Sequence, residues 1–77
     1  MKGIRLSHGT VFVTDGLSTV RILENGEIDV SPISYFVLEH DLQSEPPSTW
    51  EYITEEDILG MPEADRIKNI LMKLRKI

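Results

Sequence analysis

Two histidines and a long run of carboxylates are the side chains of this 77-residue sequence with the most obvious chemical potential. His8 follows Ser7, and a hydroxyl beside an imidazole could serve as a nucleophile and its base. Sequence neighbours rarely reach one another in the required geometry, and no orienting acid or oxyanion site completes a triad. His8-Gly9 reads instead as a two-residue hairpin loop, with Ser7 on the strand and His8 at a turn position of positive φ. His40 stands in Glu39-His40-Asp41, three metal-ligand types in a row. On a strand these side chains alternate between faces, so at most Glu39 and Asp41 converge, and an exposed strand end is the favoured reading. The turn from Glu24 to Asp29 offers oxygen ligands, but its spacing fails the calcium-loop pattern. Gly3, Gly9, Gly16, Gly26 and Gly60 are scattered one per turn, which gives no phosphate-binding loop. With no cysteine, disulfides are excluded and a structural zinc site lacks its usual ligands. No catalytic residue, metal ligand or cofactor site is assigned.

Charge is more informative in its distribution than in its sum of −5. From Ile22 to Asp65 there is no Lys or Arg, yet every carboxylate of the chain except Asp15 falls there. Arg66, Lys68, Lys73, Arg75 and Lys76 then follow without an acid. The basic end suits a helix C-terminus, where the helix dipole favours cations. The acidic stretch could be a solvated surface or a docking surface for a basic partner. Within it, Glu45-Pro46-Pro47 forms a loop of restricted backbone, and Trp50 and Glu51 follow. Tryptophan is enriched at binding hot spots, and proline lowers the cost of ordering a loop. Glu45, Pro46, Pro47, Trp50 and Glu51 are therefore the candidate partner-binding residues. Phe12, Tyr35, Phe36, Trp50 and Tyr52 could stack on nucleic-acid bases, but only Arg5 and Arg21 lie near them in the expected sheet, so core packing is favoured.

The elements that would position these residues follow from turn signals and apolar spacing. Two-residue loops at His8-Gly9 and Asp15-Gly16 set Leu6 opposite Val11, Ile4 opposite Val13 and Val11 opposite Val20. At Glu24-Asn25-Gly26 a two-residue loop would set Ile22 against Asp29. A three-residue loop with Gly26 left-handed pairs Ile22 with Ile28, Val20 with Val30 and Arg21 with Asp29. One sheet face then carries Ile4, Leu6, Val11, Val13, Val20, Ile22, Ile28 and Val30. The other mixes Arg5, Thr14, Thr19, Arg21 and Asp29 with Phe12, Leu17 and Leu23. Ser34 to Glu39 reads as a fifth, interior strand, and Trp50 to Ile53 as a further short one. Thr54 caps a short helix that Gly60 ends at its C′ position, and Pro62 opens a second helix running to Ile77. Its stripe of Ala64, Ile67, Ile70, Leu71 and Leu74 packs on the sheet.

The expected fold is α+β, a single domain over residues 1–77. It has an antiparallel meander of four to six strands that could close partly into a barrel, a short helix and a C-terminal amphipathic helix. The expected function is a non-enzymatic protein-interaction module, a component or regulator of a larger assembly, with an acidic docking surface for a protein partner. Self-association is left open. The alternatives are a small nucleic-acid-binding barrel using the C-terminal cations, and a small hydrolase or metal-dependent enzyme using His40. The start lacks the apolar run of a secretory leader and no stretch could span a bilayer, so the expected location is the cytoplasm.

Overall fold

The computed structural model describes residues 1–75, so the expected Lys76–Ile77 end of the last helix lies outside the described residues. The strands are β1 (Lys2–Leu6), β2 (Val11–Thr14), β3 (Thr19–Ile22), β4 (Ile28–Val30) and β5 (Trp50–Ile53). They form one antiparallel sheet in the order β4-β3-β2-β1-β5, with β4 and β5 as free edges, so the sheet is open rather than a barrel. The helices are α1 (Tyr35–Leu42), α2 (Glu55–Leu59) and α3 (Ala64–Arg75), with a single 3₁₀ turn at Pro47–Thr49 before β5. Within the described residues the fold is the expected α+β meander with a helix packed on it.

The β3–β4 register is the expected one, with Ile22 opposite Ile28, Arg21 opposite Asp29 and Val20 opposite Val30. Leu23 N–H donates to Glu27 O at 2.8 Å around the loop Glu24-Asn25-Gly26, and Gly26 holds φ +90°. The same loop recurs at Ser7-His8-Gly9, where Leu6 N–H donates to Thr10 O at 2.8 Å and Gly9 holds φ +107°. This corrects the two-residue reading of that turn. Ser7 is a loop residue, His8 keeps a negative φ, and the glycine takes the left-handed position that costs any other residue more. The extra loop residue slides β1 by one, setting Ile4 opposite Phe12 and Arg5 opposite Val11. Because side chains alternate, Ile4 and Leu6 move to the face of Phe12, and Arg5 moves to the face of Val11.

The β2–β3 turn is also longer than expected, with Val13 opposite Val20 and Thr14 opposite Thr19. Asp15 holds the four-residue loop through its carboxylate, which accepts from Leu17 N–H and Ser18 N–H at 2.9 Å each. A shift of two residues preserves the faces, so Val11, Val13, Val20 and Ile22 still share one side.

On that side α2 and α3 contribute Ile58, Ile67 and Leu71, with Ile70 and Leu74 packed at the margin, as the stripe predicts. Thr54 caps α2 reciprocally with Asp57, and Gly60 ends it in a right-handed conformation at the C-cap rather than left-handed at C′. Gly3 faces Ile53 across the β1–β5 ladder, and a Cβ there would lie 2.6 Å from Phe12 O and 2.9 Å from Ile53 Cγ1. No side chain fits at that position without moving a strand.

The segment after Pro32 corrects the expected fifth strand: it is helix α1. Ser34 is the N-cap and accepts from Val37 N–H at 3.2 Å. Tyr35, Leu38 and Leu42 follow i, i+3, i+7 spacing and turn toward the sheet, while Phe36 and Val37 face outward. A strand in this place would have buried the outward pair as well. The helix covers Ile4 and Phe12 and makes a second core with Leu6 and Trp50 at its margin. The second sheet face is therefore an interior, and Leu17 stands out of it at 78 % exposure.

Candidate partner-binding surface

Three of the candidate residues meet at one cleft. Pro47, Trp50 and Glu51 line a concave site of about 430 Å³ together with Arg5, Leu6, Ser7, Gly9 and Ser48. The β1–β2 loop forms one wall, the 3₁₀ turn the other, and the start of β5 the floor. The turn is tied down by Thr49, whose N–H and hydroxyl both donate to Pro46 O, at 3.0 and 2.7 Å. Proline at the first position of that turn forgoes a donor that would have had no partner there. Glu45 and Pro46 precede the turn as exposed residues outside the cleft lining.

Trp50 has a divided role. Its ring is half-buried, packed at the edge of the second core and edge-on to Tyr52 with centroids 4.9 Å apart. Its Nε1 is shielded from solvent and has no hydrogen-bond partner among the described residues. Such a shielded, unpaired donor is energetically costly.

The acidic stretch is partly answered by groups outside it. Arg5 Nη1 donates to Glu51 at 2.9 Å, and the amino group of Met1 donates to Glu55 at 3.1 Å. Within the stretch, Glu39 accepts from the Tyr52 hydroxyl at 2.8 Å. Glu45 and Glu56 are exposed.

The other residues singled out in the sequence are dispersed. His40 is on the solvent side of α1, and its nearest acidic partner is Asp41 at 3.9 Å. Glu39 and Asp41 thus sit on a helix rather than converging on a strand face, and no group of three potential metal ligands forms among the described residues. His8 Nδ1 lies 3.3 Å from the Thr10 hydroxyl in its turn. In the Glu24–Asp29 turn, Asp29 is held by Arg21 through two bonds of 3.0 and 2.7 Å. Arg66, Lys68, Lys73 and Arg75 project from α3, on the opposite side of the sheet from Phe12, Tyr35 and Trp50, so these four cations share no surface with those aromatics, whereas Lys2 places its Nζ 5.1 Å from the centre of the Tyr35 ring.

Groups shifted by their surroundings bear on stability at both ends of the pH range, and the hydrogen bond to Glu39 raises Tyr52 alongside Tyr35. The Arg21 hydrogen bonds hold Asp29 below the usual carboxylate range. The Thr54 N–H does the same for Asp57. For Asp15, burial works upward, but the Ser18 and Leu17 amides and the Arg75 guanidinium outweigh it and the net shift is downward. Burial, with Glu39 and Tyr52 nearby, pushes the Tyr35 phenol up to about 12. Lowered acids mean that the unfolded chain binds more protons, so their contribution is whole above about pH 4 and disappears as pH falls below it. The raised phenol works in reverse: its contribution is whole below about pH 10 and is lost as pH rises toward the native value. Urea midpoints measured against pH should therefore fall on both flanks. Asp29→Asn should flatten the acid flank and Tyr35→Phe the alkaline one; unchanged flanks would remove these groups as the cause.

Among the described residues no helix is long and apolar enough to cross a membrane. No protein-family model, curated protein or solved structure matches the chain, so the functional reading rests on its own geometry.

Proposed function

We propose that this chain is a non-enzymatic protein-interaction module, a cytoplasmic component or regulator of a larger assembly, that docks a partner on the surface formed by Glu45, Pro46, Pro47, Trp50 and Glu51. The observation that carries the reading is the cleft between the β1–β2 loop and the 3₁₀ turn, into which Pro47, Trp50 and Glu51 converge. Its aromatic floor gives apolar contact, its proline-bounded wall needs little ordering, and the acid-only run of sequence that supplies Glu45 and Glu51 favours a basic partner.

The test is capture of a partner from a lysate of the source organism, followed by binding kinetics with the purified pair. Association should slow by roughly tenfold or more from low to high ionic strength, and Glu45→Lys and Glu51→Lys should each reduce it at low salt. Salt-independent association, or unaltered binding by both variants, would place the interface elsewhere. Failure to retain any partner would remove the module reading.

A further inference from the structure

Among the described residues no strand occupies the outer edge of β5, and its hydrogen-bonding pattern is fixed by the neighbouring ladder. Ser7 N–H donates to Thr49 O at 2.9 Å, so the pairs that exchange bonds across β1 and β5 are Arg5 with Glu51 and Gly3 with Ile53. The backbone N–H and C=O of Trp50 and Tyr52 consequently point away from β1, into the open edge. The two side chains lie on the α1 side, where Tyr52 is exposed and bonded to Glu39, and Glu51 projects on the other side. The cleft lined by Pro47, Trp50 and Glu51 lies at the start of β5 on its β1 side, next to this edge rather than in it.

We infer that this edge accepts an extended, cation-bearing peptide segment as a sixth strand. The inference rests on the docking reading above and names the partner's form: main-chain bonds to Trp50 and Tyr52 supply the attachment, and side chains choose the sequence. Charge selects the occupant. A second copy of β5 paired antiparallel about its centre would set Glu51 against its own counterpart, a like-charge pair that destabilises a ladder. A Lys or Arg in that position meets Glu51, one oxygen of which is already bonded to Arg5 on the β1 side, and Glu39, which accepts from the Tyr52 hydroxyl, lies on the other face. The opposite edge, β4, borders an apolar hollow lined by Leu17, Val30 and Ile33, and nothing there indicates what would cover it.

The experiment uses the full chain, isotopically labelled, and short synthetic peptides alternating Lys with Thr. Controls are a copy with Glu in place of Lys and a copy N-methylated at every amide. The lysine peptide should slow exchange of the Trp50 and Tyr52 amide hydrogens by roughly tenfold or more, and both controls should fail to do so. Protection at Ile28 and Val30 instead, or equal protection by the glutamate copy, would overturn the inference. No response to any peptide would also overturn it, while the Glu45→Lys and Glu51→Lys kinetics judge the docking surface separately. Partner binding that is weakened by those variants but leaves the Trp50 and Tyr52 amides exchanging freely would keep the surface and discard the added strand.

Discussion

Leu71→Ala should lower the stability of the fold by about 2 to 5 kcal/mol, the usual cost of emptying a well-packed core position. Leu71 is 3 % exposed in the middle of the α3 stripe, against Val11, Val13, Val20 and Ile22 on the sheet and Ile58 and Ile67 on the helices. The neighbouring Met72 is 56 % exposed, so Met72→Ala should change stability by no more than about 0.5 kcal/mol. Urea unfolding with an unchanged slope is the measurement, because a changed slope would signal an altered unfolded or native state instead. Equal losses from the two substitutions would mean that α3 presents a different face to the sheet. A chain of this length holds roughly 4 to 12 kcal/mol in all, so Leu71→Ala should remove a large share of it.

Phe12→Ala should be as damaging or more so, at about 3 to 5 kcal/mol. Phe12 is 6 % exposed beneath α1, surrounded by Ile4, Tyr35 and Leu38. Removing the ring would leave a cavity between two rigid elements, a strand held on both sides and a helix anchored by Ser34, so little collapse can offset the loss. The control lies on α1 itself: Phe36 is 76 % exposed, and Phe36→Ala should be close to neutral. Phe12→Leu gives a folded variant for comparison where the alanine variant does not fold. A Phe12→Ala loss no greater than that of Phe36→Ala would show that the second face of the sheet is not an interior.

These two substitutions probe the core that the sequence displays openly and the core that it conceals. The α3 stripe, the capped start of α2 and the β3–β4 register were legible because each carries a local signal that agrees with its packing. The β1–β2 register was not, although Ser7-His8-Gly9 ends in glycine just as Glu24-Asn25-Gly26 does. The loop that gathers the most apolar residues on one face is the right one only where there is a single core, and α1 supplies a second. The helix itself was hidden because Tyr35-Phe36-Val37-Leu38 is apolar throughout, and a short apolar run carries no period that separates strand from helix. Only Ser34 as a cap and Leu42 one turn beyond Leu38 mark it. The candidate surface was legible in part: Pro47, Trp50 and Glu51 converge, whereas the dependence of Glu51 on Arg5 required knowing that β5 returns to β1.

That return has a consequence for how the chain reaches its fold. The β1–β4 strands pair through loops of three or four residues between β1 and β2, β2 and β3, and around Glu24-Asn25-Gly26, whereas Gly3 must wait for Ile53. The β1–β5 ladder therefore closes the longest segment in the sheet, and long closures form late because their entropy must be met before any contact rewards it. During synthesis, β1 keeps one side unpaired until β5, the last strand of this sheet, has emerged. In that interval the nascent meander offers β1 itself, with Ile4 and Leu6 still uncovered, as a template for any extended chain nearby.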